Sequence, residues 1–101
     1  MLEAMTDQQE RAMIFATGFD SDLREMCWTL LKEGLASQCD MFDRSRLYLK
    51  NGDTPKFRSS GMAVTIVCKR ADLEQVMKRM RASYHGGDSL AAYALPILAS
   101  M

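Results

Sequence analysis

The side chains that could do chemistry in this chain are three cysteines and a single histidine. Cys27, Cys39 and Cys68 lack the Cys-x-x-Cys spacing of a redox or zinc motif, and His85 is the only histidine. A soft metal ion needs thiolate and imidazole ligands that converge. We therefore predict Cys39 and His85 as the residues of a metal site. The alternative is three cysteines that serve as small buried side chains in a reducing compartment, with a structural or solvent-exposed histidine.

Nucleophilic catalysis has little support from the sequence. A serine or cysteine nucleophile needs a base beside it, and no Gly-x-Ser-x-Gly surrounds any serine. The glycine pair Gly86-Gly87 follows a predicted helix, whereas phosphate-binding glycine loops open one. We predict that the protein is not an enzyme.

Composition places the chain among small globular proteins. Its 101 residues are enough for one domain, which we assign to residues 12–101 after a polar lead-in at residues 1–11. The 13 basic residues balance the 13 acidic ones, which argues against nucleic acid as a partner. The N-terminus has no apolar signal core and no apolar run is long enough to cross a membrane, so we predict a cytoplasmic protein.

Two helices and two strongly apolar strands have to position these residues. Residues 12–17 and 62–68 are apolar runs, and the second is rich in β-branched residues that favour extended backbone. Two stripes with helical spacing follow them, one capped by Asp20 or Ser21 and one with a capping-box spacing from Asp72 to Gln75. The stripes are Leu23, Met26, Cys27, Leu30 and Leu31, and then Leu73, Val76, Met77, Met80 and Tyr84. We expect Gly34 to end the first helix and Gly86-Gly87 the second.

The remaining segments predict further strands. Residues 35–50 alternate imperfectly and predict one long strand with a bend or bulge near residues 43–45. Asn51-Gly52-Asp53 is typical of a hairpin turn, since Asn and Gly tolerate positive φ. Residues 90–97 predict the last strand, and Pro96 favours an edge position for it.

This order predicts an α+β fold, the ferredoxin-like βαββαβ sandwich, with both helices on one face of an antiparallel sheet. In that topology the first and third strands are central, which agrees with the two most apolar runs. The run at residues 62–68 has no alternation and should be covered on both faces. Because the helices cover one face only, we predict that a sister subunit covers the other.

Three segments resemble the CutA-type divalent-cation tolerance proteins. Residues 84–97, YHGGDSLAAYALPI, are similar to the family segment L-H-P-Y-E-x-P-E-I-x-A-L-P-I, and residues 30–36, LLKEGLA, to L-L-x-E-R-L-A. Residues 48–52, YLKNG, lie where the family has Y-W-W-x-G. The resemblance spans roughly residues 12–97 and implies a ferredoxin-like subunit in a homotrimer, with a role in metal-ion tolerance.

The resemblance also implies a divalent metal such as copper. Family members proposed to bind copper have one cysteine late in the first strand and one after the first helix, where this chain has Ala16 and Gln38. Of the histidine-proline motif, only His85 is present. The sequence thus predicts a divergent relative in which any metal site uses Cys39 and His85.

A second resemblance gives the alternative function. PII-type signalling proteins share the trimeric fold and bind adenine nucleotides between subunits, and Gly87-Asp88 with residues 95–97 resemble their last strand. A ligand cleft of this kind would use Tyr48, Lys50 and Arg70. The alternative is that Lys50 and Arg70 are ordinary solvated charges on the surface.

Overall fold

The computed structural model describes residues 10–44, 47–51, 54–58 and 61–98, and side-chain burial within residues 10–43 and 61–98. Its strands are β1 (Arg11–Gly18), β2 (Gln38–Arg44), β3 (Leu47–Asn51), β4 (Thr54–Arg58), β5 (Gly61–Lys69) and β6 (Ala91–Ile97). The helices are α1 (Asp20–Lys32) and α2 (Leu73–Ser83), with 3-10 turns at Arg70–Asp72 and Gly87–Ser89.

Four of the strands form one antiparallel sheet in the order β2-β5-β1-β6. Ile14 of β1 lies opposite Ile66 of β5 on one side and Ala94 of β6 on the other. The two most apolar strands are therefore central, as predicted. The α+β, ferredoxin-like architecture is confirmed, because both helices pack on the same face of this sheet. Pro96 lies in the edge strand β6, as predicted, and an edge strand tolerates a residue without a backbone donor.

The long second strand is divided into two. β2 begins at Gln38, three residues later than expected, and β3 leaves the main sheet to pair with β4 in a separate two-stranded ribbon. Asn51 lies opposite Thr54 across the ribbon, which confirms the predicted hairpin. The bulge predicted near residues 43–45 falls partly outside the described residues.

Alternate positions of the strands and one stripe of each helix form the core. Each of these side chains is almost fully withdrawn from solvent, which stabilises the fold by roughly 2 kcal/mol for a large aliphatic group. The largest are Ile14, Leu23, Met26, Leu30, Val64, Ile66, Val76 and Met80. Both predicted helix stripes are confirmed except at two residues. Leu31 is exposed because it lies at the edge of the α1 stripe, and Tyr84 is buried but lies beyond the end of α2.

The predicted side-chain caps are wrong for both helices. Asp20 is itself the first residue of α1, and its carboxylate accepts a hydrogen bond from Arg24 at 2.9 Å. Asp72 makes no side-chain cap, because the preceding 3-10 turn leads straight into α2.

The predicted helix ends differ in outcome. Gly34, at φ +74°, ends α1 as predicted, and Leu35 N–H donates to the Leu30 carbonyl at 2.9 Å. α2 ends at Ser83, before the glycine pair that was expected to stop it.

The second face of the main sheet carries apolar side chains that no described element covers. Phe42, Tyr93 and Leu95 expose 45%, 67% and 59% of their surface there. Phe15 lies between them in the register, and its ring is 6.2 Å from that of Phe42. Monomeric soluble proteins seldom expose a contiguous apolar surface of this kind. We call this surface, with Met13, the open face.

Candidate functional site

A cavity of about 600 Å³ lies between α1 and the edge strand β2. Polar, apolar and sulfur-containing side chains line it. The lining residues are Asp20, Ser21, Arg24, Glu25, Cys27, Trp28, Leu31, Cys39 and Met41. We call this space the thiol cavity. Its size and mostly apolar wall suit a small organic molecule.

The helical spacing of α1 explains the thiol cavity. Arg24, Cys27, Trp28 and Leu31 lie three or four residues apart and share one side of the helix. Trp28 is 70% exposed, so it forms an outer wall of the cavity rather than part of the core.

Two of the three cysteines meet in this cavity. Cys27 projects from α1 and is buried, and Cys39 projects from β2 and is partly exposed. A hydrogen bond from the Cys27 thiol lowers the pKa of Cys39, against the opposite effect of its burial. The same interaction and burial raise the pKa of Cys27. Of the two thiols, Cys39 is therefore the one that ionises more readily.

Cys68 has a different environment. It lies on the helix-covered face of β5 and is buried, and desolvation and the charge of Asp72 raise its pKa. No disulfide is formed by any of the three cysteines. The sequence alternative of buried, inert thiols therefore fits Cys68 but not the partly exposed Cys39.

The structure gives His85 a partner other than Cys39. His85 Nδ1 is 3.5 Å from Glu25 Oε1, and both side chains are mostly exposed. Glu25 lines the thiol cavity, whereas His85 does not. Within the described ranges, no group of three His, Cys, Asp or Glu side chains is arranged to hold a metal ion. The Cys39 and His85 metal site stays a sequence-based prediction.

The predicted ligand cleft at Tyr48, Lys50 and Arg70 stays a prediction. Tyr48 and Lys50 belong to β3 of the separate ribbon, and their side chains lie outside the described set. Arg70 donates to Glu10 Oε2 at 3.0 Å, so its charge is already paired. The Arg70 Nε is buried without a hydrogen-bond partner among the described residues. An anion at Arg70 would have to compete with Glu10.

Sequence analysis missed the role of Tyr84. The predicted stripe of the second helix includes Tyr84, but this residue follows α2. Its hydroxyl accepts a hydrogen bond from Phe19 N–H at 3.0 Å. Ser89 Oγ donates to the Gly86 carbonyl at 2.7 Å, so Tyr84 donates to Ser89. A Cβ at Gly18 would lie 2.5 Å from the Tyr84 hydroxyl, and glycine is therefore needed there. We call this chain of hydrogen bonds the tyrosine bridge.

The tyrosine bridge joins the end of β1 to the turn after α2. Its signal in the sequence is indirect: a buried tyrosine hydroxyl needs a partner, and small residues must make room for the ring. Nothing in the spacing identifies Phe19 N–H as that partner.

Solved structures with a similar fold show what this chain resembles. No protein-family model matches the chain, and no curated protein matches it either. The periplasmic divalent cation tolerance protein CutA from Archaeoglobus fulgidus superposes with a TM-score of 0.76 at 14% identity, over 90% of this chain and 87% of that one. The chain has the CutA fold.

Two more CutA proteins support the same conclusion. CutA1 from Oryza sativa gives a TM-score of 0.78 at 12% identity, over 95% of this chain and 87% of that one. CutA1 from the psychrotrophic bacterium Shewanella sp. SIB1 gives 0.77 at 16% identity, over 91% and 85%. The resemblance predicted from the sequence is thus confirmed in its fold, which these structures share over nearly their whole length.

The described residues also bear on membrane association. Neither α1 nor α2 is long and apolar enough to cross a bilayer.

Proposed function

We propose that this protein is a CutA-like homotrimer with a role in divalent-metal-ion tolerance. The observation that carries the proposal is the likeness of fold to CutA proteins over at least 90% of the chain. The fold alone does not define an activity, so the proposal also depends on the sequence resemblance in residues 84–97. We propose a binding role rather than catalysis, in the cytoplasm, although the Archaeoglobus protein is described as periplasmic.

The open face supports self-association. A second copy is the partner that this surface fits, because a closed ring of identical subunits covers an apolar face on every copy. Tyr93 and Leu95 lie on β6 at one side of the face, and Phe42 lies on β2 at the other. A face that spans the sheet from edge to edge can be shielded by neighbours on both sides.

Solution mass tests the assembly. Light scattering on the purified protein should give about 34 kDa, three times the chain mass of 11.4 kDa. Tyr93→Glu should shift the mass toward the monomer, because it places a charge in the proposed interface. Trp28→Glu is the matched control, since Trp28 is equally exposed but lies on the helix side of the sheet. A wild-type monomer would end the trimer proposal.

Calorimetric titration tests the ligand. We expect Cu²⁺ to bind the wild-type protein, and Cys39→Ser or His85→Ala to weaken binding at least tenfold if these are the ligands. Cys68→Ser is the control, because that thiol is buried away from both residues. The alternative, a PII-like nucleotide sensor, predicts binding of ATP or ADP instead. The CutA proteins compared above give no support to that alternative.

A further inference from the structure

The proximity of Cys27 and Cys39 has no role in the function proposed above. The two residues are separated by a helix end, a turn and a strand start, and they come from different layers of the fold. Both line the thiol cavity, and both belong to the packing around the main core. Two neighbouring thiols from different elements can react with each other, whereas a single buried cysteine has no such partner.

The connection between α1 and β2 holds the two cysteines in place. Ala36 N–H donates to the Leu30 carbonyl at 3.2 Å, and Ser37 N–H donates to the Val67 carbonyl at 2.9 Å. Cys39 then enters the sheet opposite Ile66. The turn is therefore hydrogen-bonded to both the helix and the central strand, and this fixes the backbone between the two cysteines that line the thiol cavity.

The two thiols differ in access. Cys39 is partly exposed at the wall of an open cavity, and Cys27 lies deeper, with 4% of its surface exposed. A small oxidant that enters the cavity meets Cys39 first. This is the order of an attacking and a resolving cysteine, in which the accessible thiolate reacts and its buried neighbour completes the bond.

We propose that Cys27 and Cys39 form a redox site that a hydroperoxide converts to an intramolecular disulfide. The Cys39 thiolate attacks the terminal oxygen of the hydroperoxide, the O–O bond breaks, and the alcohol or water leaves with a proton. The resulting sulfenic acid on Cys39 is attacked by the Cys27 sulfur, which loses its proton as water departs and the S–S bond forms. The two cysteines lose two electrons and two protons, and the hydroperoxide is reduced.

The surroundings of the pair fit this chemistry. The lowered pKa of Cys39 increases the fraction of reactive thiolate near neutral pH. Arg24 lines the same cavity, although its guanidinium pairs with Asp20. The disulfide would join α1 to the edge strand β2, which leads into the β3–β4 ribbon. Oxidation would therefore tie the ribbon side of the sheet covalently to the helix layer.

Intact mass after mild oxidation tests the proposal. The reduced full-length protein is treated with an equimolar amount of hydrogen peroxide, then unfolded in guanidinium chloride that contains N-ethylmaleimide, so that buried thiols are also blocked, and weighed. We expect a loss of about 2 Da for the disulfide and one alkylated thiol in place of three. Peptide mapping should link Cys27 to Cys39, and dithiothreitol should restore three free thiols. Three alkylated thiols, an intermolecular bond, or a bond to Cys68 would overturn the proposal.

Variants separate the two roles. Cys68→Ser should still lose about 2 Da, since that thiol takes no part. Cys27→Ser should leave Cys39 as a sulfenic acid that dimedone traps, because the resolving sulfur is gone. Cys39→Ser should leave Cys27 reduced. Trapping on Cys27 rather than Cys39 in these variants would contradict the assigned order, and the wild-type measurement remains decisive if a variant does not fold.

Discussion

The two faces of the main sheet are built from the same four strands but have different surroundings. On β1, Ile14 is buried under the helices, and its neighbour Phe15 points to the open face and is only partly covered. The same alternation continues on β5, where Val64, Ile66 and Cys68 are buried and Thr65 and Val67 are not. The helix-covered face therefore stabilises the single chain, whereas the open face is the surface that the proposed trimer would bury.

Substitutions at two neighbouring residues of β1 should show the largest difference between the two faces. Ile14→Ala should lower the free energy of unfolding by about 3 kcal/mol, because it leaves a cavity in a fully buried layer. Phe15→Ala removes a larger side chain from the open face and should lower the unfolding free energy of a dissociated subunit by less than about 1 kcal/mol. Urea denaturation at low protein concentration measures both. Equal losses would mean that the two faces do not differ as described.

Loss of the tyrosine bridge should have the next largest effect on stability. Tyr84→Phe removes the acceptor of Phe19 N–H and the donor to Ser89, and should cost about 1–2 kcal/mol of stability. The loss belongs to the helix side of the sheet, so the oligomeric mass should not change. Thermal unfolding and light scattering on the same sample check both statements, and a change of mass would show that the bridge acts on assembly.

The smallest effect concerns a surface ion pair within the helix layer. Arg79 donates to both carboxylate oxygens of Glu33, at 2.8 and 2.6 Å, and this lowers the pKa of Glu33. A carboxyl whose pKa is lower in the folded state contributes stability above its unfolded pKa and loses it as pH falls through the folded pKa. Stability from this pair should therefore begin to decline as the pH falls below about 4.5, the ordinary pKa of the carboxyl, and be lost below its lower pKa in the folded state.

Arg79→Gln isolates that contribution. The variant should differ from wild type slightly at pH 7 and converge with it in acid, because an exposed pair contributes little and is screened by salt. Urea midpoints at pH 7 and pH 3 measure the difference. A constant offset at both pH values would assign the effect to packing rather than charge.

Most of the fold could be predicted from the sequence because it depends on local periodicity. The apolar runs that became β1 and β5 need only their own residues to indicate central strands, and the stripes of α1 and α2 depend on helical spacing alone. The caps at Asp20 and Asp72 could not be predicted in this way. Whether such a carboxylate caps a helix depends on the backbone angles of the preceding turn and on competing partners such as Arg24.

The candidate site depends more on the tertiary structure. The sequence predicts a metal site at Cys39 and His85, which stays a prediction, and the structure adds the neighbours of each residue, Cys27 beside Cys39 and Glu25 beside His85. Sequence spacing could not predict these neighbours. Cys27 and Cys39 lie in different elements, and the hydrogen-bonded turn between them sets how those elements meet.

The sequence by itself determined the two helices, the two central strands, the order in which they follow one another and the apolar second face. Each of these depends on side-chain type and spacing along the chain. Only the tertiary structure decided the tyrosine bridge, the thiol cavity, the partners of Arg70 and the separation of the β3–β4 ribbon from the main sheet. These features depend on distances between residues far apart in the chain, and such distances are set by how the helix and sheet layers pack.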